Sequence, residues 1–224
     1  MLIPSIDLMG GKIVQLVQGR RKALEFDDFD AWVERFSKYP LVQLIDLDAA
    51  MGAGDNNQLV RHFARQLPCQ VGGGIRSLDA AQAALAAGAQ RVITGSALFA
   101  GSKLDHNFAE RLAGAVGSSR LVFALDTLGG MVAIHGWQTV TDVTPLEMIR
   151  ALDPWCGAFL YTHVETEGLL QGFPQDVIRP LRAATSKQLI AAGGIRVQNE
   201  IDELHAMGVD AVVGMAIYQG LLSA

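Results

Sequence analysis

The sequence predicts an α/β fold, a (β/α)8 barrel built from two similar (β/α)4 halves, and three observations lead there. Eight β-rich runs alternate with amphipathic stretches along the 224 residues. Several runs, LVFALD (121–126) and AFLYT (158–162) among them, are almost continuously apolar, as expected of parallel strands covered on both faces. The chain also repeats itself at half its length. VGGGIR (71–76) returns as AAGGIR (191–196), VITGSALF (92–99) as AVVGMAIY (211–218), and IDL (6–8) as LDT (125–127). Gly73 thus maps to Gly193, Gly95 to Gly214 and Asp7 to Asp126, at offsets of 120, 119 and 119 residues. Three motifs at one offset indicate a single domain, 1–224, of two fused halves near 1–118 and 119–224.

The elements follow in order. Leu2–Asp7 is the first strand, with the helical pattern Asp30–Tyr39 after it. Leu41–Leu47 leads into Gln58–Gln66, and Cys69–Gly72 into Leu78–Ala87. Arg91–Thr94 closes the first half. Leu121–Asp126 opens the second, ahead of Pro145–Leu152. Ala158–Thr162, Gln188–Ala192 with the helical Gln198–Met207, and Ala211–Gly214 complete it. Eight strands, each followed by a helical segment, are the count of the barrel; an open doubly wound sheet more often has five or six.

Composition excludes several classes. Half the residues are apolar and 18% are charged, enough for a sizeable core and unlike a disordered chain. No apolar run has the length of a membrane helix. MLIPSIDLMGGK lacks a basic region and a small-residue cleavage site, so it reads as a core strand rather than a signal peptide. Cys69 and Cys156 lack metal-ligand spacing and read as free thiols of a cytoplasmic protein. A net charge of −5 argues against a nucleic-acid surface or a polybasic lipid site. Nothing demands more than a monomer.

The chemistry-bearing residues lie at strand ends. GGGIR (72–76) and GGIR (193–196) each follow a strand and precede a helix, and TGSA (94–97) and VGMA (213–216) do so one unit later. Glycine lets backbone approach a ligand closely, and a helix start offers free N–H groups to an anion. Either pair alone would suit a tight turn. Together they point to two phosphate sites facing each other across the mouth, and to an elongated small-molecule substrate with a phosphate at each end. Asp7 and Asp126 end strands one and five, opposite each other in an eight-stranded barrel. That pair suits general acid–base chemistry at the midpoint between the phosphates. Asp46 and Asp48 lack a partner at the common offset and read as structural. Thr162 ends strand six, where its hydroxyl can assist, and Trp137 can stack on a planar heterocycle or anchor a loop. His135 and His163 read as rim residues. No metal-ligand cluster, Walker loop or dinucleotide fingerprint is present, so the chemistry reads as cofactor-free.

The same residues carry a family resemblance. IPSIDLMGGKIVQLVQG (3–19), LIDLDAA (44–50), QVGGGIR (70–76), VITGSALF (92–99), FALD (123–126), HGW (135–137), YTHVETEGLLQG (161–172) and AAGGIR (191–196) resemble the phosphoribosylformimino-5-aminoimidazole carboxamide ribotide isomerases of histidine biosynthesis. The resemblance implies an Amadori rearrangement of an aminoaldose to an aminoketose. It implies Asp126 as general acid, Asp7 as general base and Thr162 as an assisting group. It assigns Gly74, Arg76, Gly95 and Ser96 to one phosphate, and Gly193, Gly194, Gly214 and Met215 to the other. Gly19 joins the binding residues, and Trp137 stacks on the imidazole carboxamide. Departures remove positive charge. Gln15 and His135 stand where many relatives have Arg, Met215 where a basic residue is common, and Thr162–Gly168 where relatives carry T-D-x-x-R-D-G. Two other readings stay open on the residues: a dual-substrate isomerase also acting on phosphoribosylanthranilate, and a catalytically silent phosphoribotide-binding barrel.

Overall fold

The computed structural model describes residues 1–222. Eight parallel strands close on themselves: β1 (Leu2–Met9), β2 (Val42–Asp46), β3 (Cys69–Gly72), β4 (Arg91–Thr94), β5 (Leu121–Leu128), β6 (Ala158–His163), β7 (Gln188–Ala192) and β8 (Asp210–Val213). The seam is made by Ile3 opposite Val212, and the two halves of the chain join where Ile93 sits opposite Val122. This is the (β/α)8 barrel expected from the alternation of strands and helices.

Side chains alternate across the barrel wall because a strand turns successive residues to opposite faces. Ile3, Ile93, Val122, Leu160, Ile190 and Val212 point inward and plug the barrel. Their neighbours Ile6, Leu44, Val92, Phe123, Phe159 and Leu189 point outward into the layer shared with the helices. Those helices are α1 (Phe29–Phe36), α2 (Asn57–Ala64), α3 (Leu78–Ala86), α4 (His106–Val116), α5 (Pro145–Leu152), α6 (Gln175–Ala184), α7 (Gln198–Ala206) and the short α8 (Met215–Tyr218). Their starts are written in the sequence. Asp28, Ser77 and Asp105 each accept the backbone N–H three residues on, and Thr144 with Glu147 forms a reciprocal capping box.

Strand ends shift by a residue or two from the expected ones. β2 stops at Asp46 rather than Leu47, because the Asp46 carboxylate accepts from Ala49 N (3.1 Å) and Asn56 N (2.6 Å) and turns the chain into a helical turn, Leu47–Met51. β1 and β5 run two residues past Asp7 and Asp126, because each is extended by an antiparallel hairpin. β8 begins at Asp210 and ends before Gly214. The first hairpin, Lys12–Val17 with Arg21–Phe26, stands over the mouth and is stapled by ion pairs of Lys12 and Lys22 with Glu25.

The opposite end of the barrel is sealed by a chain of polar side chains. Gln70 donates to Gln43 (2.9 Å), Arg91 donates to Gln70 (2.9 Å) and to Gln188, and Gln188 donates to Asp210 (2.6 Å). Burial works against the Arg91 charge and Asp210 works for it. Both cysteines are free and buried, and burial pushes their thiols up to about 12. Among the described residues no helix is long and apolar enough to cross a membrane. Replacing Arg91 with Ala strands the Gln70 and Gln188 acceptors, while Asp210 keeps Gln188 and the Met1 ammonium. The expected loss in unfolding free energy is roughly 3 kcal/mol, read from urea denaturation. An unchanged midpoint would mean that the network contributes nothing.

Candidate active site

At the C-terminal ends of the strands the barrel opens into a cavity of ≈260 Å³. Asp7, Asp126, Thr162, Gly19, Gly74, Arg76, Gly95, Ser96, Trp137, Gly193, Gly194, Gly214 and Met215 all line it. Every site residue expected from the sequence is therefore brought together. His135 and His163 lie outside the lining.

The glycines do backbone work. Gly73 and Gly193, equivalent in the repeat, have φ of +92° and +110°. A Cβ on Gly73 would lie 2.1 Å from the Asp46 carbonyl oxygen, and one on Gly193 2.4 Å from that of His163. Each loop thus packs directly on the end of the preceding strand, which no other residue permits. Gly19 makes a different accommodation: a Cβ there would meet the Trp137 ring at 2.7 Å. Gly95 and Gly214 precede the helical turns Ser96–Leu98 and Met215–Tyr218, whose first N–H groups have no partner within the turn.

The carboxylates are half-buried in the wall of the cavity. Burial pushes Asp7 up to about 6, against a hydrogen bond donated by Ser5 Oγ (3.0 Å). Burial also raises Asp126, opposed by hydrogen bonds from Trp137 Nε1 (2.9 Å) and from Thr162. Trp137 is therefore positioned by Asp126 as well as by Gly19, in a run of three residues, His135 to Trp137, with positive φ. The loop is fixed at its other end by the His135 N–H, which donates to Ser96 Oγ (2.8 Å).

A third carboxylate, Glu167, completes the group. It lines the same cavity, and its pKa is pushed up to about 8 by burial first and then by the charges of Asp7 and Asp126. Sequence reasoning passed over it, although Glu167 stands where the T-D-x-x-R-D-G pattern has its second aspartate. Arg76 is the one cationic side chain among the described residues lining the mouth, and it donates to the Ala50 carbonyl. Gln15, buried beside Gly214, contributes a neutral amide. Among the described residues no cluster of three or more His, Cys, Asp or Glu is arranged to hold a metal ion. Asp46 and Asp48 are structural, as expected. Asn56 bonds both, and with Asp48 it also accepts from Gly11 N (2.9 Å) and Gly10 N (2.7 Å).

The model of the family described as histidine biosynthesis protein matches residues 1–223. The chain belongs to this family. Relatives within it resemble the chain over nearly the whole length of both. A protein of Thermus thermophilus is 39% identical over 98% of this chain and 94% of its own. Proteins of Methanocaldococcus jannaschii and Deinococcus radiodurans are each 35% identical over 99% of this chain and 94% of theirs. All three are named 1-(5-phosphoribosyl)-5-((5-phosphoribosylamino)methylideneamino)imidazole-4-carboxamide isomerase.

Within the family fold, Glu167 leaves a mark on stability. Its proton is held in the folded chain up to about pH 8 and released by the unfolded chain near 4.5. Stability therefore falls as pH rises through that window. Glu167→Gln is expected to flatten the fall, read as unfolding free energies at about pH 5 and pH 8.5. Parallel slopes in the two proteins would contradict the burial of this carboxyl.

Proposed function

We propose that the chain is an aldose–ketose isomerase of histidine biosynthesis. It converts the aminoaldose N′-phosphoribosylformimino-5-aminoimidazole-4-carboxamide ribotide to its phosphoribulosyl form by an Amadori rearrangement. The observation that carries the reading is one cavity in which carboxylates from opposite strands stand between two glycine-lined loops, in a chain of this family. The loops suit a phosphate at either end of the substrate. Gly74, Arg76, Gly95 and Ser96 take one, and Gly193, Gly194, Gly214 and Met215 take the other through backbone N–H groups. Gly19 seats Trp137, which stacks on the heterocycle.

The proton bookkeeping fits neutral pH. Glu167 holds a proton there and faces the charges of Asp7 and Asp126. Asp126 and Glu167 together supply the proton to the furanose oxygen; the C1′–O bond breaks and the nitrogen lone pair forms the Schiff base. Asp7, titrating at about 6, is largely ionised and removes the C2′ proton. The electron pair left on C2′ moves into the C1′–C2′ bond as the C1′=N pair returns to nitrogen, giving an enolamine. Protonation at C1′ and loss of the hydroxyl proton then give the ketone. Thr162 orients Asp126.

All these groups come from one chain, which supports action as a monomer. The acidic balance and the small cavity support a cytoplasmic enzyme for a small molecule rather than a nucleic-acid or membrane binder. The matched geometry of Gly73 and Gly193 supports one domain of two fused halves, near 1–118 and 119–224.

The test is incubation with the aminoaldose ribotide, ketose formation being followed through a coupled cyclase. Asp7→Asn and Asp126→Asn are each expected to lower kcat about 10²-fold or more while substrate binding persists. Tight bisphosphate binding without turnover in the parent would leave a ribotide-binding barrel instead.

A further inference from the structure

The loop that carries Glu167 is held from three directions, and Glu165 takes part in two of them, through its carboxylate toward the β5 hairpin and through its main-chain carbonyl toward the first hairpin. Glu165 Oε1 accepts from the Gly129 N–H (2.6 Å), at the turn of the hairpin that extends β5. The Glu165 carbonyl accepts from Gln18 Nε2 (3.1 Å), in the turn of the first hairpin. Gln18 then donates its own N–H to the Glu167 carbonyl (3.0 Å). Next along, Gly168 lies so close to the first hairpin that a Cβ would come 2.2 Å from the Leu16 carbonyl oxygen. The second Glu165 oxygen, Oε2, is buried without a hydrogen-bond partner and lies 3.5 Å from His163 Nε2. His163 Nδ1 is 2.9 Å from Thr166 Oγ1, which donates to the Gly193 carbonyl (3.0 Å). A carboxylate with one oxygen on another loop's backbone and the other enclosed beside a histidine joins the two loops, although part of the side chain stays open to solvent.

We propose that Glu165 is a positioning residue that locks the β6 loop to the β1 and β5 hairpins and so holds the Glu167 carboxyl inside the mouth, facing Asp7 and Asp126. The catalytic consequence rests on the proposed isomerase; the positional one does not. Burial first, and then the charges of Asp7 from β1 and Asp126 from β5, hold the Glu167 proton, while Glu165 and His163 are the ionisable groups nearest along its own chain segment. With the joint broken, Glu167 reaches water and gives up its proton more readily.

The test uses Glu165→Ala, Glu165→Gln and Gln18→Asn in the full chain, with Glu167→Gln to assign the carboxyl signal in ¹³C NMR titrations. In Glu165→Ala the acid dissociation constant of Glu167 is expected to rise about tenfold or more. The alkaline limb of kcat should move to lower pH with it, and kcat should fall about tenfold with KM within about threefold. Glu165→Gln keeps an acceptor for Gly129 N–H and should restore most of both. Gln18→Asn keeps a residue tolerant of the positive φ at that position but is too short to reach the loop. It should shift the titration in the same direction by less, and serves if Glu165→Ala does not fold. An unmoved Glu167 titration, or Glu165→Gln as impaired as Glu165→Ala, overturns the proposal. A moved titration in a protein that does not isomerise upholds the joint and removes only the activity.

Discussion

The direct seating of the two glycine loops on the ends of the strands before them is the contact on which the rest of the mouth depends. At Gly73 and Gly193 the clearance to the neighbouring carbonyl is less than any Cβ could tolerate. That closeness lets the chain turn sharply out of β3 and β7, so Gly74 and Gly194 stay in the lining of the mouth. The same approach pins the ends of β2 and β6. Asp46 is thereby held where it orders the Leu47–Met51 turn, and the β6 loop is brought against the first hairpin. Strand closure supplies a rigid ring; the glycines decide what stands on it.

A second constraint is electrostatic. The mouth places three carboxyls together with a single cation, Arg76, in its lining. Three full negative charges in so small a volume repel one another and cannot all be solvated. The group therefore retains proton at neutral pH, chiefly on Glu167. Arg76 stands at the β3 end of the mouth, while Gln15 and Met215 leave the β8 end without a positive side chain in its lining.

Much of this was readable in advance. The almost continuously apolar runs LVFALD and AFLYT, the repeat, and the paired glycines lead to the barrel and to the residues at its mouth. Asp7, Asp126 and Thr162 could be placed because strand register is local and periodic. Glu167 escaped because it sits five residues beyond Thr162 in an irregular loop, where no period says which side chain turns inward. The first hairpin is not among the expected elements either, since KIVQLV and RKALEF fall between the first strand and the first helical pattern, where the repeating unit calls for no further strand. The joint at Glu165 depends on Gly129 and Gln18, at sequence separations of 36 and 147 residues, which no local pattern encodes.

The polar chain from Gln43 to Asp210, with the apolar plug above it, makes the barrel a vessel with one door. Whatever enters between the loops must leave between them, and an occupant bars the next arrival until it has gone. Product release and substrate entry then compete for the same passage, so accumulated product slows the enzyme as a competitive inhibitor. A catalyst of this shape hands its product to solution and not through its own body to a neighbour, and sets the flow it sustains by how quickly the next step clears what it makes.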